Sequence, residues 1–84
     1  MNKQVHYVYI AVCNDSSLYT GYTTDLARRL EEHNCGNKGA RYTKSHRPVK
    51  LVYSEKFATS STAKIREAEI KKLTRQDKLK LINK

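Results

Sequence analysis

Two tyrosines, an arginine, a histidine and one glutamate are the residues of this chain whose types and placement can do chemistry: Tyr9, Tyr19, Arg29, His33 and Glu67. The glutamate says most. Projected at about 100° per residue, Ala63, Ile70 and Thr74 form one stripe of the segment Ser60–Thr74, and Glu67 falls inside it while Glu69 points away. A carboxylate on the core side of a helix is costly unless a cation, a metal or hydrogen-bond donors receive it, so its position asks for partners upstream. Hydrolysis of a phosphodiester needs an activated water, a counter-charge for the phosphorane-like transition state and help for the departing oxygen. Arg29, always charged and able to fork onto phosphate, suits the scissile group. Glu67 suits a single Mg²⁺ or Mn²⁺, since Mg²⁺ keeps several waters and takes one or two carboxylates plus phosphate oxygens. Each residue also has a plain structural alternative: a surface arginine, a tyrosine packed in a strand, a satisfied helix histidine.

The elements that must position these groups can be read from patterning. Val5 to Cys13 is dense in β-branched and aromatic residues and predicts a strand buried on both faces. Asn14, Asp15 and Ser16 supply a turn, and the returning strand is Ser17 to Tyr22. Side chains alternate along strands, so Tyr9 and Tyr19 share a face only if the connection is a three-residue loop that pairs Ala11 with Tyr19, or if a bulge intervenes. A helix follows from about Asp25 to Asn34, with Thr24 as N-cap, Leu26 and Leu30 inward, Arg28 in solvent, and Arg29 and His33 at the rim of the sheet. Pro48 opens a third strand, 49–54, whose odd positions look inward. A helix from Ser60 to about Leu73 and a short one from Gln76 to Asn83 complete the chain, with Thr74 and Asp77 as a capping box between them. Ile65 faces outward and asks for cover from Leu79 and Ile82. Tyr7, Tyr22 and Tyr53 are assigned to strand packing.

Four ordered blocks carry a resemblance: Val8-Tyr9-Ile10, Tyr19-Thr20-Gly21, Asp25 to His33 with Arg29 within it, and Ala63-Lys64-Ile65-Arg66-Glu67. Together they resemble the GIY-YIG nuclease family, and with Lys38 to Thr43 and Glu69 to Leu73 the chain is similar to its small stand-alone bacterial (YhbQ-like) members. The resemblance runs over about residues 5–73. It implies an α/β (α+β) fold, a small three-stranded antiparallel sheet flanked by helices, in a single domain spanning 1–84. It further implies a metal-dependent endonuclease in which Tyr9 accepts the proton of the attacking water and Tyr19 positions that water or the phosphate, the two roles being exchangeable. His33, one turn after Arg29, is placed to touch substrate or assist the tyrosines. Tyr7 stands where the family's first-block glycine does and Thr20 in the middle of the second block, two positions whose side chains the chemistry does not use.

Composition agrees. Seventeen Lys and Arg against eight Asp and Glu give a net charge of +9 on 84 residues, and so basic a small domain is expected to meet a polyanion, nucleic acid first and DNA before RNA. The loop from Cys35 to Arg47 sets Lys38, Arg41, Lys44 and Arg47 among Gly36, Gly39, Tyr42 and His46, cations for phosphates and an aromatic for a base, which reads as a substrate clamp. No recognition helix is evident, so a preference for a DNA shape (branched, damaged or single-stranded) is expected over a sequence, with specificity supplied by a protein partner. Cys13 and Cys35 show neither disulfide nor zinc spacing. No apolar run approaches the roughly 20 residues of a membrane span and no secretory signal is present, so a cytoplasmic location is expected. A second class stays open, a non-catalytic basic module that keeps the fold for DNA or RNA contact.

Overall fold

Strand β1 (His6–Val12) runs through the middle of the sheet because its residues are apolar on both sides. The computed structural model describes residues 4–34 and 47–83. Within them β1 is flanked by β2 (Leu18–Thr23) and β3 (Lys50–Phe57), both antiparallel to it, in the order β2-β1-β3. Helix α1 (Leu26–Asn34) follows β2, and α2 (Ser60–Lys71) and α3 (Arg75–Ile82) follow β3. Val8 and Ile10 pack with Ala63 and Ile70 of α2, joined by Leu81 and Ile82 of α3. Tyr9, Ala11, Cys13 and Val49 pack on the other face with Leu26 and Leu30 of α1. The α+β architecture and the doubly buried first strand are as expected, and each fully buried Val or Ile contributes about 1.5–3 kcal/mol.

The hairpin has the three-residue loop. Ala11 pairs with Tyr19, the Ser16 N–H donates to the Cys13 carbonyl and the Cys13 N–H to the Ser17 carbonyl, both at 2.9 Å. Ser16 takes the left-handed conformation at φ 70°, as the last residue of such a loop must. Asp15 Oδ1 fixes it by accepting from the Ser17 N–H at 3.0 Å and its hydroxyl at 2.6 Å.

Four local expectations are corrected. The N-cap of α1 is Asp25, not Thr24: its Oδ1 accepts from the Arg28 N–H at 3.0 Å. The reason lies one residue earlier, where Thr23 Oγ1 accepts from the Asp25 N–H at 3.1 Å and turns the chain so that a carboxylate meets the positive end of the helix. In β3, Ala11 pairs with Leu51 but Ile10 with Tyr53, so Val52 is the extra residue of a bulge. The odd positions therefore divide, Leu51 toward α1 and Tyr53 and Phe57 toward α2 and α3. Thr74 does not continue the stripe of α2, which ends at Lys71, but caps α3 by accepting from the Asp77 N–H at 3.2 Å. Ile65 stays 62% exposed, because α3 turns Leu81 and Ile82 to the sheet instead.

Helix α2 is registered on the sheet by a forked ion pair. Arg66 donates to both Glu55 carboxylate oxygens, at 3.0 and 3.1 Å, and the Tyr53 hydroxyl donates to the same group. The bond to Glu55 holds the Arg66 guanidinium above its ordinary pKa.

Candidate active site

Tyr9 faces Gly21 across the β1–β2 pairing. A Cβ at Gly21 would lie 2.6 Å from Tyr9 Cζ, so the ring lies against the bare backbone of β2 and only a residue without a side chain leaves it room. Tyr19, two residues earlier on the same face, brings its ring centroid to 6.4 Å from that of Tyr9. The shared face expected of the two tyrosines is observed. Gly21→Ala is accordingly expected to push the Tyr9 ring off its seat and to destabilise the protein by about 1–3 kcal/mol, read by a thermal melt together with the near-ultraviolet tyrosine dichroism. An unchanged melt and unchanged tyrosine signal would contradict this packing.

The Tyr9 hydroxyl lies 2.7 Å from His33 Nε2, and Tyr19 presents an edge-on contact to the same imidazole at 5.3 Å. His33 is fully buried, deeper than the rim position expected, because α1 lies flat on the tyrosine face. Burial, and then the positive charges of Arg29 and Arg47, pull the imidazole down to about 4 against the opposing pull of Glu32, so His33 is neutral at pH 7. Arg29 hydrogen-bonds Glu32 at 3.0 Å and lies close enough to Tyr9 for each to shift the other's ionisation. Burial works against its charge, but Glu32 and Tyr9 together prevail and hold the guanidinium above its ordinary value. Of Arg29 and His33, the two basic side chains beside Tyr9, Arg29 is the one that is charged.

That cation does not make a phenolate in the free protein. Burial raises Tyr9 to about 12, with help from neighbouring Tyr19 and the Glu67 carboxylate, against the lowering by Arg29. The hydroxyl therefore keeps its proton. Arginine can only donate and neutral imidazole has one acceptor nitrogen, so the pattern that satisfies all three is Arg29 donating to the phenol oxygen and the phenol donating to His33 Nε2.

Glu67 sits on α2, half-buried at 20% side-chain exposure and 3.2 Å from Lys71 Nζ. It is not the core-facing carboxylate expected from the helical wheel; Ala63 and Ile70 fill the core and Glu67 lies at its margin, within electrostatic reach of Tyr9. Among the described residues no three of His, Cys, Asp and Glu gather around one point, and Glu67 is the carboxylate whose charge reaches Tyr9, so it is the residue that would hold a metal here. This donor set fits Mg²⁺ or Mn²⁺, which complete their shell with water and phosphate oxygens, and the Lys71 ammonium already sits as a cation against the same oxygen.

Lys38, Arg41, Tyr42 and Lys44, expected in the clamp, lie outside the described residues, as do Cys35 and His46. Arg47 is described, and its guanidinium serves α1: Nε donates to the His33 carbonyl at 2.5 Å and Nη2 to the Glu32 carbonyl at 3.3 Å. Asn34 adds two bonds to the backbone of Val49, at 2.9 and 2.6 Å. These contacts fix the end of α1 that carries His33; they come from Arg47 and Val49, well beyond the helix in the chain, so no local signal announced them. On the opposite face of the sheet, His6 Nδ1 lies 2.7 Å from the Tyr22 hydroxyl.

Comparison with known proteins gives the family and the fold. The model of the GIY-YIG catalytic domain matches residues 5–81. A UPF0213 protein of Staphylococcus haemolyticus is 60% identical over 77 residues, covering 92% of this chain and 93% of that protein. A UPF0213 protein of Syntrophus aciditrophicus is 54% identical over 77 residues, covering 92% and 88%. The solution NMR structure of the UPF0213 protein BH0048 from Bacillus halodurans superposes with a TM-score of 0.60 at 44% identity, covering 94% of this chain and 83% of that one. With two tyrosines, Arg29 and His33 together on one sheet face and Glu67 of α2 within electrostatic reach of Tyr9, this chain belongs to the GIY-YIG family of nucleases, in its UPF0213 (YhbQ-like) group.

Proposed function

We propose that the protein is a divalent-metal-dependent endonuclease that hydrolyses phosphodiester bonds of DNA, choosing its substrate by shape. The observation that carries this reading is the buried hydrogen bond between the Tyr9 hydroxyl and neutral His33 at 2.7 Å, with the charge of Arg29 felt at the same hydroxyl. A packed aromatic alone has no need of it. In the proposed mechanism Tyr9 accepts the proton of the attacking water while passing its own proton to His33 Nε2, so a phenol raised to about 12 acts without first becoming a free phenolate. Proton transfer of this kind contributes about 10²–10⁴-fold. Tyr19 orients the water or the phosphate, and Arg29 forks onto the phosphate, for which Glu32 holds it ready. A metal held by Glu67 would supply positive charge to the phosphate oxygens.

The test is a nicking assay on supercoiled plasmid and on branched DNA, with Mg²⁺, with Mn²⁺ and with chelator. Metal-dependent cuts that favour the branched substrate support the reading, whereas binding with no cleavage under any metal transfers it to the non-catalytic DNA- or RNA-binding class.

The loop clamp is proposed on charge and composition. Replacing Lys38, Arg41 and Lys44 together by alanine is expected to weaken duplex binding and to flatten its logarithmic salt dependence by about three, roughly one per lost phosphate contact. Arg47, engaged with α1, is kept out of that variant. An unchanged salt slope in a folded triple variant would remove the clamp.

A further inference from the structure

At the β2 edge, where α2 and α3 reach the sheet, Leu18, Tyr19, Thr20, Lys71 and Lys78 line an open cleft of about 410 Å³. Thr20 is only 4% exposed, and its Oγ1 is the buried side-chain oxygen among the described residues that has no hydrogen-bond partner. Buried hydroxyls are normally satisfied, and an orphan asks for a reason. The lining offers one. It contains two ammonium groups and no carboxylate, and Lys78 belongs to none of the ion pairs formed by the described residues. Lys71 has Glu67 as its partner at 3.2 Å with more than half of its side chain exposed, which leaves it free to swing.

Two cations and an unspent hydroxyl donor match the needs of a tetrahedral oxyanion. The cleft is continuous with the candidate active site twice over, through Tyr19, which lines the one and contacts His33 in the other, and through Lys71, which touches Glu67. We propose that Thr20, Lys71 and Lys78 form a second phosphate subsite, binding the backbone phosphate next to the one presented to Tyr9, Arg29 and Glu67. The proposal rests on the polynucleotide substrate of the function given above. It assigns the middle residue of the Tyr19-Thr20-Gly21 block a ligand, where the sequence suggested none, and it gives Lys71 two anions to serve in turn: Glu67 in the free protein and a phosphate when a cation takes over the carboxylate.

The test measures binding in chelator, by fluorescence anisotropy of a short labelled oligothymidylate, for Thr20→Val, Lys78→Gln and the control Lys80→Gln, whose lysine is exposed and paired with Asp77 at 3.9 Å. Thr20→Val removes the hydroxyl while keeping the volume. The expected result is affinity lowered roughly threefold to tenfold with an unchanged salt slope and a melting temperature equal to or above the wild type, a combination that a structural threonine would not give. Lys78→Gln is expected to lower the single-strand salt slope by about 0.7 and Lys80→Gln to leave affinity near wild type. Wild-type affinity in folded Thr20→Val, or equal losses in the two lysine variants, overturns the subsite. Because no cleavage is read, a wild type that binds and never cuts, with both cleft variants impaired, would keep the subsite and remove the nuclease; a cutting wild type with indifferent cleft variants would do the reverse.

Discussion

Glu67→Gln is expected to lower metal-dependent cleavage on the order of a thousandfold or more, the scale of several kcal/mol of transition-state charge stabilisation, while leaving the protein folded. Both halves follow from where the carboxylate sits. It is the acid on α2 whose charge is felt at Tyr9, and glutamine keeps its shape but cannot neutralise a divalent cation. Its pairing with Lys71 is a helix pair of spacing four with the lysine in solvent, and such pairs contribute only about 0.3–0.5 kcal/mol. The thermal melt should therefore barely move. Nucleic-acid binding should tighten, because the variant removes a negative charge beside the phosphate path and releases the Lys71 ammonium, and the salt slope should steepen by up to about one. A melt, an anisotropy titration and a nicking assay on the same preparation read all three. Cleavage retained in Glu67→Gln would exclude the metal role, and a loss of about 3–5 kcal/mol, the mark of a buried charge left without its partner, would make Glu67 a structural residue.

The sequence revealed the tyrosine face more fully than it revealed the state of the tyrosine. A period of two, a turn of three residues and strict alternation suffice to put Tyr9 and Tyr19 on one side, because strand geometry is local. The helical wheel placed Glu67 with Ala63 and Ile70, yet a wheel gives direction and not depth. Where α2 meets the sheet, Ala63 and Ile70 are fully buried and Glu67 reaches only the margin. The ionisation of Tyr9 was not legible for a different reason. A neighbouring cation lowers a phenol and burial raises it, and which effect wins depends on how α1 covers the ring, a tertiary fact. The bulge at Val52 and the Arg47 cap on α1 are likewise contacts between segments far apart in the chain. Thr20 was passed over because a threonine in a strand is ordinary until its hydroxyl is found buried without a partner.

Acidification is expected to unfold this protein through His33. In the folded chain its pKa is lowered to about 4, whereas an exposed histidine titrates near 6.5. The unfolded state therefore binds a proton between these values that the folded state refuses, and the sign follows: the stability contributed by neutral His33 is fully present above about pH 6.5 and is lost as pH falls toward 4. The interval corresponds to roughly 3 kcal/mol, a large part of what a small domain possesses. Burial sets the direction, and the groups around the imidazole add to it: Arg29 and Arg47 oppose a proton there, Glu32 favours it, and Tyr9 occupies Nε2 with its hydroxyl. His33→Gln keeps a hydrogen-bonding side chain at the position but does not titrate. Chemical denaturation of the wild type and this variant from pH 7.5 to 4 should show the wild type losing the larger share by roughly that amount, with carboxylates common to both cancelling in the difference. Parallel curves would mean that His33 is protonated at little cost in the folded state. An imidazole of ordinary pKa is still mostly neutral at pH 7 and keeps the lone pair that receives the Tyr9 proton, so that result would remove the acid sensitivity and leave the proton path in place.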